Sequence, residues 1–79
     1  MAFQKQKVII PSENDWRLPE KTSKFTINPE QGATAIMKAD GDDINIYDYE
    51  SYDSDAHRDA IQNVRIQAIN GNIRVVYFT

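Results

Sequence analysis

In three segments between Phe25 and Ile46, and in two more between Val64 and Tyr77, apolar side chains fall on every second position. Phe25 and Ile27, then Ala33, Ala35, Met37 and Ala39, then Ile44 and Ile46 keep this alternation. Val64, Ile66 and Ala68, then Ile73, Val75 and Tyr77, repeat it. A period of two belongs to an extended strand, whose successive side chains point to opposite faces. The chain is therefore expected to build a sheet with one apolar face, and something must cover that face.

The punctuation divides the chain into strands and turns. Lys5 to Ile10 reads as a strand because Val8, Ile9 and Ile10 suit a pleated surface. Pro11 ends it, since proline has no N–H for a ladder. Residues 11 to 22 hold two prolines and three carboxylates and read as a long loop. Within it Trp16 either pins the loop to the core or anchors a partner. Lys24 to Ile27 is a second strand. Residues 29 to 39 have two readings. Asn28-Pro29-Glu30-Gln31 fits a helix start, with Asn as cap and Pro at the first helical position. The same letters fit a turn that Gly32 closes, followed by a strand. The alternation favours the strand, with a helix at 29–39 as the alternative.

Two dipeptides point to tight hairpins. Asp40-Gly41 predicts a two-residue turn that sets Met37 opposite Ile44 and Ala35 opposite Ile46. Asn70-Gly71 predicts a type I′ turn that pairs Ala68 with Ile73, Ile66 with Val75 and Val64 with Tyr77. Between them Ile44 to Tyr49 is a strand. Ser54 caps a short helix from about Asp55 to Asn63, with Asp55 at the positive end of its dipole and an apolar stripe of Ala56, Ala60, Ile61 and Val64. The expected fold is α+β: one small domain with a mostly antiparallel sheet, a meander plus a C-terminal hairpin, and one short helix packed on it.

Composition narrows the function. With 79 residues and no cysteine, the chain has neither disulfides nor thiolate metal ligands to reinforce a thin core. The longest apolar run near the N-terminus is Val8 to Ile10, too short for a secretion signal, and no run reaches membrane-span length. A cytoplasmic location is expected. The net charge of −3 argues against nucleic acid as a direct partner. The charge is unevenly spread. Residues 1–39 carry six cations against four carboxylates, and the last 21 residues are mildly basic.

Catalytic constellations are not found. His57 is the single histidine, and reads as a partly exposed residue of the first helical turn. Asp40-Gly41-Asp42-Asp43 lacks calcium-loop spacing, which would require ligands at Ile36 and Lys38. Ser54 serves as a helix cap, and the three glycines lie in separate turns rather than in a phosphate loop. No catalytic residue, cofactor or metal is expected.

What remains is the acidic stretch 40–55. It holds seven of the twelve carboxylates, with no Lys or Arg among them. The candidate binding residues are Asp42, Asp43, Tyr47, Asp48, Tyr49, Glu50, Tyr52 and Asp53. Carboxylates along a strand and loop can stand in for the phosphates of a nucleic acid, and tyrosines add apolar contact and hydrogen bonding. The expectation is a non-enzymatic protein-binding module, an inhibitor or adaptor. It would dock on the basic, nucleic-acid-handling surface of a partner protein, without a membrane. The alternative is an assembly subunit that forms a homo-oligomer through Ile73–Phe78, should that last strand lie at a sheet edge.

Overall fold

A computed structural model describes residues 4–20, 22–39, 42–53 and 63–79, with Asp42 described in its backbone alone. Eight strands occur among them: β1 (Lys5–Ile10), β2 (Asp15–Arg17), β3 (Lys24–Pro29), β4 (Thr34–Ala39), β5 (Asp42–Tyr47), β6 (Tyr52–Asp53), β7 (Arg65–Ile69) and β8 (Ile73–Phe78). They form two antiparallel four-stranded sheets. Sheet I has the order β1-β8-β3-β6 and sheet II the order β2-β7-β4-β5.

The two orders match column by column. β1 lies in sheet I where β2 lies in sheet II, and the same holds for β8 and β7, β3 and β4, and β6 and β5. Each column is thus a pair of consecutive strands, joined by a loop that passes from one sheet to the other. Such a connection is an arch, because its two strands face across the core instead of bonding side by side. The hairpin between β4 and β5 is the one connection within a sheet.

The alternating residues meet between the sheets. Phe25, Ile27, Ile73 and Val75 come from sheet I, and Ala35, Met37, Ile66 and Ala68 from sheet II; all are almost fully buried. Trp16 of β2 packs against this core and reaches Tyr77 of the opposite sheet, with ring centroids 5.3 Å apart. Trp16 therefore ties the 11–22 segment down. That segment was expected to be a loop, yet Asp15–Arg17 pairs with Gln67, Ile66 and Arg65 of β7. Three residues are too few for periodicity to register as a strand.

Several expectations are corrected. The α+β class gives way to all-β: every regular element among the described residues is a strand, and each sheet is covered by the other sheet rather than by a helix. The expected helix to Asn63 lies outside the described residues, apart from Asn63 itself, whose φ is 57°. Residues 29–39 are not helical; β4 holds Thr34–Ala39. The meander does not form either, since β3 and β4 lie in different sheets. The turn before β4 is nonetheless where the sequence places it: the Ala33 amide donates to the Glu30 carbonyl at 2.8 Å, and Gly32 has a φ of 84°.

The C-terminal hairpin is also overturned. β7 pairs with β2 and β4, and β8 pairs with β1 and β3. Asn70 has the φ of 59° that a type I′ turn requires, but Gly71 opens to 148° and the chain crosses to the other sheet. Val64, Ile66 and Ala68 do share a core with Ile73, Val75 and Tyr77, across it rather than alongside. β8 is consequently interior, bonded on both sides. Ile73–Phe78 offers no edge, so self-association through it loses its premise. By contrast, the β4–β5 hairpin has the expected register, Ala35 opposite Ile46 and Met37 opposite Ile44.

Neighbouring arches bond to one another. The Asn70 amide donates to Glu13 Oε2 at 2.9 Å, the Gly71 amide to Ser12 Oγ at 3.0 Å, and the Ser12 amide to Asn72 Oδ1 at 3.1 Å. On the other side the Glu30 amide donates to the Asn72 carbonyl at 3.1 Å. Packing is close at Gly71. A Cβ on Gly71 would lie 2.9 Å from Ala33 Cβ, whereas one on Gly32 would meet nothing within 4 Å. Gly32→Ala should cost about 1–2 kcal/mol, the left-handed backbone term alone. Gly71→Ala should cost more, about 2–4 kcal/mol, because overpacking adds to a disfavoured backbone. Equilibrium denaturant unfolding of both variants tests this order; equal losses would refute the steric contribution of Ala33.

Candidate functional site

The acidic stretch runs along one wall of the sandwich, from β5 at the edge of sheet II to β6 at the edge of sheet I. β5 alternates as expected: Ile44 and Ile46 turn towards the core side, and Asp43, Asn45 and Tyr47 towards the outer face of sheet II. Ile46 is buried, but Ile44 is 42% exposed at the sheet edge.

Edge geometry follows from the hydrogen-bond alternation. The Leu18 amide bonds the Val64 carbonyl and the Ala68 amide bonds the Asn14 carbonyl, which sets the residues of β7 that face β2. Carried across the registers of β7, β4 and β5, the alternation turns the backbone groups of Asp43, Asn45 and Tyr47 away from β4. Glu50 then closes the end of this edge. Its Oε1 accepts from the Tyr47 amide at 3.2 Å, and its own amide donates to the Tyr47 carbonyl at 3.1 Å.

The eight expected site residues have different surroundings. Asp48 and Glu50 have structural work in the loops. Asp48 Oδ2 accepts from the Gly32 amide at 2.8 Å, which ties the β5–β6 arch to the β3–β4 arch. Tyr52 turns inwards and stacks on Phe25, with centroids 6.0 Å apart, so it belongs to the core margin. Asp43 and Asp53 lie on the outer faces of different sheets, because Ile44 and Tyr52 beside them turn inwards. Asp42 is in β5, paired with Ala39. The last two, Tyr47 and Tyr49, form an exposed stacked pair: centroids 5.7 Å apart, planes within 10°, and exposures of 39% and 80%.

The structure therefore draws Asp43, Ile44, Tyr47 and Tyr49 together along β5 and its following turn. Ile44 was missed as a surface residue, because alternation assigns a face and not a position within the sheet. Opposite Asp43 stands Lys38, in a cross-strand row that continues through Arg65 to Arg17. Exposed ion pairs at 3.7 Å, Arg65 with Asp15 and Arg17 with Glu20, neutralise much of that row.

His57, Ser54 and Asp55 lie outside the described residues, as do Asp40 and Gly41. Among the described residues, no group of three or more His, Asp or Glu could hold a metal ion. Searches for similar proteins found no matching family model, curated protein or solved structure.

Two of the carboxylates on the wall, Asp48 and Asp43, can be told apart by stability. Asp48→Ala should lower unfolding free energy by about 1 kcal/mol, since it removes a hydrogen bond to a loop amide. Asp43→Ala should change it by less than about 0.5 kcal/mol, the usual range for exposed positions. Thermal or denaturant unfolding measures both; an unchanged Asp48→Ala would remove the proposed tie between arches.

Proposed function

We propose that this protein is a non-enzymatic protein-binding module that docks through the wall formed by β5 and its following turn. One observation carries this reading. Four large hydrophobic residues are exposed among the described residues, and three of them, Ile44, Tyr47 and Tyr49, lie in the most acidic part of the chain.

Each part supports docking in a different way. Carboxylates speed encounter with a basic surface by long-range attraction, which salt screens. Stacked tyrosines supply contact area at little entropic cost, because the ring pair is already ordered before binding. The outward-turned backbone of Asp43 and Asn45 can accept an extended segment of the partner. The partner is a protein with a basic surface of the kind that handles nucleic acid. The setting we propose is the cytoplasm: the chain has no cysteine, and no helix among the described residues is long and apolar enough to cross a membrane.

Tyr49→Ala combined with Asp43→Lys gives the test, because neither residue holds the fold. Wild-type and variant baits would be compared in quantitative pull-downs at low and high salt. A basic protein captured by the wild type should be lost at least ten-fold with the variant, about 1.4 kcal/mol, and should weaken with salt. Equal capture by both baits overturns the reading.

A further inference from the structure

The outer face of sheet I differs in charge from the rest of the molecule. Alternation places Lys5 and Lys7 of β1, Arg74, Val76 and Phe78 of β8, and Lys24 of β3 on this face, away from the core residues Ile10, Val75 and Ile27. The registers order them in rows. Phe78 stands between Lys5 and Lys24; Val76 stands between Lys7 and Thr26; Arg74 stands between Ile9 and Asn28. Ile9, the fourth exposed large hydrophobic residue, is 49% exposed here.

Among the described residues, Asp53 of β6, opposite Thr26, is the one carboxylate on the strands of this face. Four cations less one carboxylate leave +3. The remaining five cations and eleven carboxylates of the chain amount to −6, and together they make the net −3. The outer face of sheet II shows no such excess, because Asp15 and Glu20 pair with its arginines and Asp43 stands opposite Lys38.

We infer that the outer face of sheet I binds a single strand of nucleic acid. Lys5 and Lys7 lie about 6.6 Å apart along one strand, and Lys5 and Lys24 about 9.6 Å apart across Phe78. Cations on both sides of the face can track a phosphate backbone, and the apolar, aromatic centre between them receives unstacked bases. A duplex suits the face less well: its bases are already stacked, and its grooves admit a helix or a ribbon rather than a flat sheet. An expectation drawn from net charge alone averages over this separation. The inference is independent of the β5 docking wall, which lies on other residues.

Fluorescence anisotropy with a labelled oligothymidine of about 12 nucleotides tests it, within the usual site size for such surfaces. Saturable binding is expected at low salt, stronger than to a duplex of equal length. Changing Lys5, Lys7 and Arg74 to Ala together should weaken it at least ten-fold and reduce the log–log salt slope by about 2, at about 0.7 per phosphate contact. Phe78→Leu, which retains an apolar side chain, should weaken it at least five-fold. Tyr49→Ala with Asp43→Lys should leave it unchanged. No binding at about 100 µM protein, the weak end of non-specific affinity, overturns the inference. So does equal binding to the duplex, or indifference to the triple substitution. A concentration-dependent oligomer that the triple substitution dissolves, with no oligonucleotide binding, would also overturn it and make this face a contact between copies.

Discussion

The structure depends on a steric constraint at the arches. Consecutive strands face each other across the core, so four loops must stack closely along one end of the sandwich. The β7–β8 arch lies between the β1–β2 and β3–β4 arches, and there is no room for a side chain where it meets Ala33. Glycine at position 71 meets both demands, a φ of 148° and a missing Cβ. Ser12, Glu13 and Asn72 satisfy polar groups that adjoining loops would otherwise leave to water. Asp48 extends the same linkage to the fourth arch through Gly32.

This arrangement makes β7 and β8 the inner strands of two sheets. Ile66, Ala68, Ile73 and Val75 are then covered from both sides and from above, and each is essentially inaccessible to water. A chain of this size hides only about 60–65% of its unfolded surface, so the gain from two central strands is large relative to its stability. Edges fall instead to β1, β2, β5 and the two-residue β6. Of these, β1 exposes Ile9 and β5 exposes Ile44 and Tyr47, and Glu50 caps the end of β5 with a carboxylate, a common protection against unwanted pairing.

Sorting into two sheets also sorts charge. Each strand shows one face to the core and one to solvent, so residues far apart in sequence come to share an outer face. Lys5, Lys24 and Arg74 are one such set, and Asp15, Arg65, Lys38 and Asp43 another. The wall formed by β5 and its following turn, running into β6, contains the sequence-local acidic stretch. A protein that is acidic overall thus has one basic face and one acidic, tyrosine-bearing wall.

The amino-acid sequence by itself determined which side chains turn inwards, because a period of two assigns faces whatever the neighbouring strand. It also determined the β4–β5 hairpin, whose register a two-residue turn sets locally. It could not determine whether Asn70-Gly71 closes a hairpin or an arch. Both bury Ala68 with Ile73 and Ile66 with Val75, and the choice rests on which other strands flank β7 and β8. Nor could it separate the eight acidic-stretch candidates: Asp48, Glu50 and Tyr52 have structural partners in Gly32, Tyr47 and Phe25, two of them distant in sequence. Faces are local consequences of strand geometry, while strand neighbours, edges and shared charge are long-range, and the tertiary structure decided those.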